Sequence, residues 1–377
     1  MMKAIINAKI YTEDKVIHNG YIEFNDKIVA IGEGEYSGEA ETIDAHGNML
    51  LPGFIDIHIH GGYGADAMDA THESLDMLTQ GLLKEGTTSF LPTTMTESIP
   101  RVTNALESIA TFESQGAEIL GIHLEGPFIS EHKVGAQDPK FVIRPTTTLI
   151  NQLQQAAHNN IKIITIAPEV EGALDVIQHF DDIIFSAGHT TATFDELNNA
   201  QSKGLKHITH LYNAATPFKH RAPGAFGAAW LNDNLTTECI IDGVHSHPAA
   251  VDIAYRLKGR DRFIVITDAM RAKGLGDGVS ELGGQQVYVN GNEARLKDGT
   301  LAGSVLKMNE GLKHFMQYTG ESMEHAWRVM SYNQAVALKV DDRIGSIKVG
   351  KQADFVLLDE EFNVLCTVKR GYNIYNK

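Results

Sequence analysis

The chain has only two cysteines in 377 residues, Cys239 and Cys366. They lie far apart and follow no metal-binding spacing, which excludes a disulfide framework or a thiolate cluster as the organising device. Both thiols are expected to be reduced and structural. No apolar stretch approaches the roughly 20 residues that a membrane-spanning helix needs. The opening MMKAIINAKIYTEDK lacks the apolar core and small-residue cleavage site of a secretory signal, so a cytoplasmic location is expected. Basic runs of five or more residues are also missing, and the formal charge is −16. Such a chain repels nucleic acid and anionic membrane surfaces at long range, so neither is an expected partner. An anionic small molecule would need a local cationic pocket.

What is present divides by pattern. The first 50 residues and the last 40 or so read as short strands separated by turns, as in KAIINAKIYT, KVIHNGYIEF and QADFVLLDEEFNVLCTV. Between them run eight apolar segments: FIDIHIH (54–60), TSFLPTT (88–94), ILGIHLEG (119–126), KIITIAP (162–168), IIFSAGH (183–189), HITHLYN (207–213), ECIIDGVH (238–245) and FIVITDAM (263–270). Amphipathic segments such as ESLDMLTQGLLKEG and TFDELNNAQSKG separate several of them, with helical apolar spacing and a closing glycine. Strands alternating with helices predict an α/β fold, a (β/α)8 TIM-like barrel whose active site gathers at the strands' C-terminal ends. The termini are expected to build a small β-sandwich domain from residues 1–51 and 340–377, with the barrel over 52–339. Within the barrel a hairpin insertion is expected near 283–303, turning at Asn290-Gly291.

The first apolar run carries chemistry. In FIDIHIHGGYG the residues Asp56, His58 and His60 share one parity, so in a strand they project to one face, roughly 6.5–7 Å apart. Two imidazoles at that spacing can lean onto one metal ion. A lone His-x-His is more often a polar strand face with two exposed histidines, so the rest of the chain decides. The other runs end in Glu125, His189, His210 and Asp268. Four histidines and two carboxylates at one barrel mouth suit divalent metals bound through nitrogen and oxygen. His123 shares the parity of Glu125 and reads as a packed or supporting residue. His207 reads as barrel wall, and Asp56 as a hydrogen-bond support for His58 and His60.

These motifs resemble the amidohydrolase superfamily and, more narrowly, its N-acetylglucosamine-6-phosphate deacetylases. The marks are LPGFIDIHIHGGYG (51–64), HLEGPF (123–128), SAGHT (186–190), THLYNA (209–214), DGVH (242–245), ITDAM (266–270), LAGS (301–304) and IGSIKVGKQADFVLLD (344–359). The resemblance implies one divalent metal at Glu125, His189 and His210, and a second at His58 and His60 with Glu125 bridging; zinc, iron, manganese and cobalt all fit. It implies Asp268 as general acid and base. For the sugar phosphate it implies the backbone around Asn213 and Ala214, with His245 and Arg221, the arginine reaching in from a neighbouring subunit of a homodimer. Where many family members place a carbonyl-orienting histidine, this chain has Gln137. A glutamine donates a hydrogen bond but carries no proton at neutral pH. The expected reaction is hydrolysis of N-acetylglucosamine 6-phosphate to glucosamine 6-phosphate and acetate. Rival readings are another N-acyl sugar phosphate, such as N-acetylgalactosamine 6-phosphate, and a silent barrel, which would have lost one of the six groups.

Overall fold

A computed structural model describes residues 2–376. All eight apolar runs contain strands, here β1 (Phe54–Ile59), β2 (Thr87–Thr94), β3 (Ile122–Glu125), β4 (Ile161–Ile166), β5 (Ile184–Ala187), β6 (His207–Ile208), β7 (Thr236–Ile240) and β8 (Phe263–Ile266). Each pairs in parallel with the next. The ring closes where β1 meets the segment after β8: the N–H groups of His60 and Gly61 donate to the Ala269 carbonyl at 2.9 and 3.0 Å. Every residue of β1, β2, β3 and β8 is buried. That is the reason these runs are almost continuously apolar, since helices cover the outer face and side chains fill the inner one.

The two amphipathic segments form helices, His72–Leu83 and Phe194–Ser202. Thr71 caps the first by accepting the Ser74 N–H, and a reciprocal Thr193–Glu196 capping box starts the second. Leu75, Leu78 and Leu82, and then Leu197, turn inward.

The terminal strands form one continuous mixed sheet of eight: Lys3–Tyr11, Val16–Phe24, Ile28–Glu33, Glu41–Asp44, Met49–Pro52, Phe355–Leu358, Val364–Lys369 and Asn373–Asn376. It carries its own apolar cluster, including Ile5, Ile22, Phe24, Phe355 and Val368. A polar seam ties it to the barrel. Glu118, in a short strand beside β2, accepts from Lys369 Nζ at 2.7 Å and pairs with Arg343 and Arg370 at 3.0 Å each. Burial pushes the Glu118 carboxyl up, but these cations outweigh it and hold it at about 2.

Beyond β8 lies a three-stranded antiparallel sheet, Gly278–Leu282, Gln285–Asn290 and Glu293–Arg295. Its first strand precedes the expected insertion. Gly283 and Gly284, both at positive φ, make the tight turn that brings it back, so the glycine pair sits inside the excursion and not at its edge. The second turn is shifted by one residue from expectation. Asn290 pairs with Glu293, so Gly291 and Asn292 form the loop, with Gly291 taking the positive φ at its first position. Val287, Val289 and Ala294 pack with Met95 and Met270, which seats the sheet beside the barrel mouth.

Candidate active site

His58 lies in β1 and His60 one residue beyond it. Glu125 ends β3, while His189, His210 and Asp268 each stand two residues past β5, β6 and β8. All six therefore occupy the C-terminal end of the barrel, where loop side chains converge. The last three have left-handed backbones, with φ of 47°, 29° and 48°. That conformation costs a non-glycine residue roughly 1–2 kcal/mol, so surrounding bonds must hold it. Ser130 N–H donates to the His189 carbonyl at 2.9 Å. Asp268 is clamped between the His58 carbonyl and the Ser304 N–H, both at 2.8 Å.

The side chains meet around one carboxylate. Glu125 Oε1 lies 3.1 Å from His210 Nε2, 3.3 Å from His189 Nε2 and 3.4 Å from His58 Nε2. Its Oε2 lies 3.2 Å from His60 Nε2. The opposite ring nitrogens decide what these atoms offer. His60 Nδ1 faces the Thr93 carbonyl at 3.1 Å and His189 Nδ1 the Lys133 carbonyl at 2.8 Å. His58 Nδ1 faces the Glu238 carboxylate at 3.2 Å. These partners only accept, so each Nδ1 carries the proton, and the neutral ring turns its Nε2 lone pair inward. His189 Nε2 and His210 Nε2 stand 3.1 Å apart, and His58 Nε2 is buried without a hydrogen-bond partner. Lone pairs aimed at one another and at carboxylates are mutually repulsive unless cations lie among them. The residues fit divalent metal, in two overlapping sets: His58, His60 and Glu125, and Glu125, His189 and His210.

Charge acts on these groups strongly. With no cation among them, Asp268 and Glu125 would draw a proton onto His60 Nε2 in spite of its burial and raise the imidazole to about 10; a metal ion would take the place of that proton. Burial likewise disfavours charge on Glu125 and Asp268, and the histidines beside them draw both carboxyls below their ordinary range. Asp268 is thus a carboxylate, its Oδ1 3.1 Å from His60 Nε2 and 3.5 Å from His58 Nε2.

A cavity of about 630 Å³ opens above the cluster, lined by Gln137, Asn213, Ala214, His245, Arg295 and Lys133 among others. Gln137 is committed to the cluster itself. Its Nε2 donates to Glu125 Oε2 at 2.7 Å, and its Oε1 accepts the Thr96 N–H at 2.7 Å. His245 Nδ1 is held by Asp242 Oδ2 at 2.6 Å, which leaves Nε2 for the cavity. The structure does not bring Arg221 into this group. It sits on an exposed loop, its Nη1 2.6 Å from His220 Nε2, outside the cavity lining of its own chain.

Glu238 went unread in the sequence, although it supports His58 and its Oε2 lies 3.4 Å from the His210 N–H. Its signal was there: in ECIID it shares parity with Ile240 and Asp242 inside an otherwise apolar strand. Asp56 supports the motif differently from expectation, accepting the His58 backbone N–H at 3.3 Å together with Thr267. His207 lies 3.9 Å from Glu238 and so belongs to the same buried polar group. His123 is a neutral support: Nδ1 donates to the Ile57 carbonyl and Nε2 meets the Thr165 hydroxyl, while burial and His58 press the ring down to about 3.

Comparison with known proteins agrees with this geometry. Residues 49–374 match the model of the amidohydrolase family. The N-acetylglucosamine-6-phosphate deacetylase of Bacillus subtilis (strain 168) is 49% identical, over 97% of this chain and 96% of that one. The crystal structure of the same enzyme from Pasteurella multocida superposes with a TM-score of 0.93 at 32% identity, covering 100% of both chains. A mutant deacetylase from Mycobacterium smegmatis, solved in complex with N-acetyl-D-glucosamine-6-phosphate, gives a TM-score of 0.92 at 30% identity over 98% of each chain. The chain belongs to the amidohydrolase family and, within it, to the N-acetylglucosamine-6-phosphate deacetylases.

Proposed function

We propose that the chain hydrolyses the acetamide of N-acetyl-D-glucosamine 6-phosphate, releasing D-glucosamine 6-phosphate and acetate in amino-sugar catabolism and recycling. The observation that carries this reading is Asp268 Oδ1 3.1 Å from His60 Nε2, beside two histidine–Glu125 sets that could hold metal, at the floor of the cavity. His58, His60, Glu125, His189 and His210 would hold divalent metal, two ions per subunit, with zinc, iron, manganese and cobalt all compatible with the donor set. When bound, such an ion lowers the pKa of water towards about 7 and polarises the amide carbonyl.

The protein's own groups then move the protons. Asp268 takes the proton of the attacking water at Oδ and returns it to the departing sugar nitrogen. Without that return the tetrahedral intermediate would expel hydroxide in preference to amine. Gln137 fixes the rotation of the Glu125 carboxylate, and Glu238 fixes the His58 ring. His245 and the Asn213–Ala214 backbone receive the phosphate, and Arg221 serves the neighbouring site of a homodimer. The loop position of Arg221, away from its own cavity, supports that assignment. We place the enzyme in the cytoplasm. No helix among the described residues is long and apolar enough to cross a membrane.

The test is acetate release by metal-loaded protein from N-acetylglucosamine 6-phosphate, its unphosphorylated parent and N-acetylgalactosamine 6-phosphate. A strong preference for the first is expected. Faster release from the galacto isomer would transfer the assignment to that sugar, and none from any of them would overturn it.

A further inference from the structure

An anionic substrate entering a protein of net charge −16 needs fixed cations at its binding site. Arg295 and Lys133 are the lysine and arginine residues that line the cavity. Lys133 gives its carbonyl to His189 and so stands at the metal end. Arg295 ends the last strand of the three-stranded sheet. Its Nε donates to Glu293 Oε2 at 2.6 Å and its Nη1 to the Gly299 carbonyl at 2.8 Å. Those two bonds fix the plane of the guanidinium and leave Nη2 uncommitted. Guanidinium N–H groups match phosphate oxygens in spacing, which an ammonium does not.

The sheet is also tied to the turn that carries His245. Asn292 Nδ2 donates to the Asp242 carbonyl at 3.2 Å, and the Asp242 carboxylate holds His245 Nδ1 at 2.6 Å. Arg295 and His245 both line the cavity, so the two can face one bound anion. We infer that Arg295 is a specificity-determining residue, an in-chain guanidinium that grips the substrate's phosphate alongside His245. This rests on the sugar-phosphate reading above. The sheet beside the barrel mouth thereby carries one side of the anion site.

The test compares wild type with Arg295→Gln and Arg295→Lys on N-acetylglucosamine 6-phosphate and on N-acetylglucosamine, with inorganic phosphate as competing inhibitor. Arg295→Gln is expected to raise KM for the phosphorylated sugar at least tenfold with kcat within threefold. Its loss on that sugar should exceed its loss on the unphosphorylated sugar by the same factor. Inhibition by phosphate should weaken in parallel, and Arg295→Lys should recover part of each effect. Equal losses on both sugars in both variants would reduce Arg295 to a structural brace and overturn the inference, as would an unchanged phosphate preference. A wild-type enzyme without phosphate preference would instead sink the underlying sugar-phosphate reading.

Discussion

The two histidine pairs of the centre reach the same carboxylate by different means. His58 lies in β1 and His60 one residue beyond it, on one buried run whose register with β2 shifts between Asp56 and Ile59. His189 and His210 come from separate loops, each on a left-handed backbone, and meet only because β5 and β6 are neighbours. The supports differ as well: Glu238 and the Thr93 carbonyl hold the first pair, the Lys133 carbonyl and a strained loop the second. The lesson is that one continuous run spaces two donors without a left-handed backbone, whereas a donor on a loop depends on distant bonds that restrain it.

The sharpest way to break the comparison is Asp268, which touches only the strand-borne pair. Replacing it with Asn should lower kcat by about 10²–10⁴-fold, the usual contribution of general acid–base catalysis. Metal content measured by elemental analysis should stay near the wild-type level, because both histidine pairs remain. Next come paired substitutions. His58→Ala with His60→Ala should remove one ion and leave the other, and His189→Ala with His210→Ala should do the converse. Complete metal loss from either variant would show that the pairs bind as one unit. A smaller effect is expected from Glu238→Gln, which keeps the shape but loses the charge behind His58. Metal affinity at the strand-borne pair should fall about 10–100-fold, seen as earlier loss on titration with a chelator, with the loop-borne pair little changed.

The smallest effect lies away from the centre. Glu118 lies at the seam between sheet and barrel, and its carboxyl is held at about 2, below the ordinary 4.5. A depressed carboxyl contributes stability that is complete above the unfolded value and is lost as the pH falls towards the folded one. Melting temperature should therefore decline between pH 4.5 and about 2, more gently in Glu118→Gln than in wild type.

Several features were legible from the chain alone for physical reasons. A buried parallel strand must be apolar on both faces, so the eight runs stood out, and the parity of Asp56, His58 and His60 followed from a two-residue repeat. Apolar spacing and closing glycines marked the two helices by the same local logic. The sheet turns were harder. Two glycine-led turns follow one another in GVSELGGQQVYVNGNEAR, and only the pairing of Leu282 with Gln285 and of Asn290 with Glu293 shows which residues form the loops.

The tertiary structure decided the remainder. Glu125 gathers histidines as far as 85 residues away, and Glu238 supports a histidine 180 residues earlier. No local pattern encodes such distances, because they exist only once the barrel closes between Ile59 and Ala269. Gln137 bonding to Glu125, Arg221 standing outside its own cavity and Arg295 lining it likewise depend on loop paths. Local sequence determined which segments are strands and which faces carry donors; barrel closure alone decided which donors meet, since convergence is a property of strand order and not of neighbouring residues.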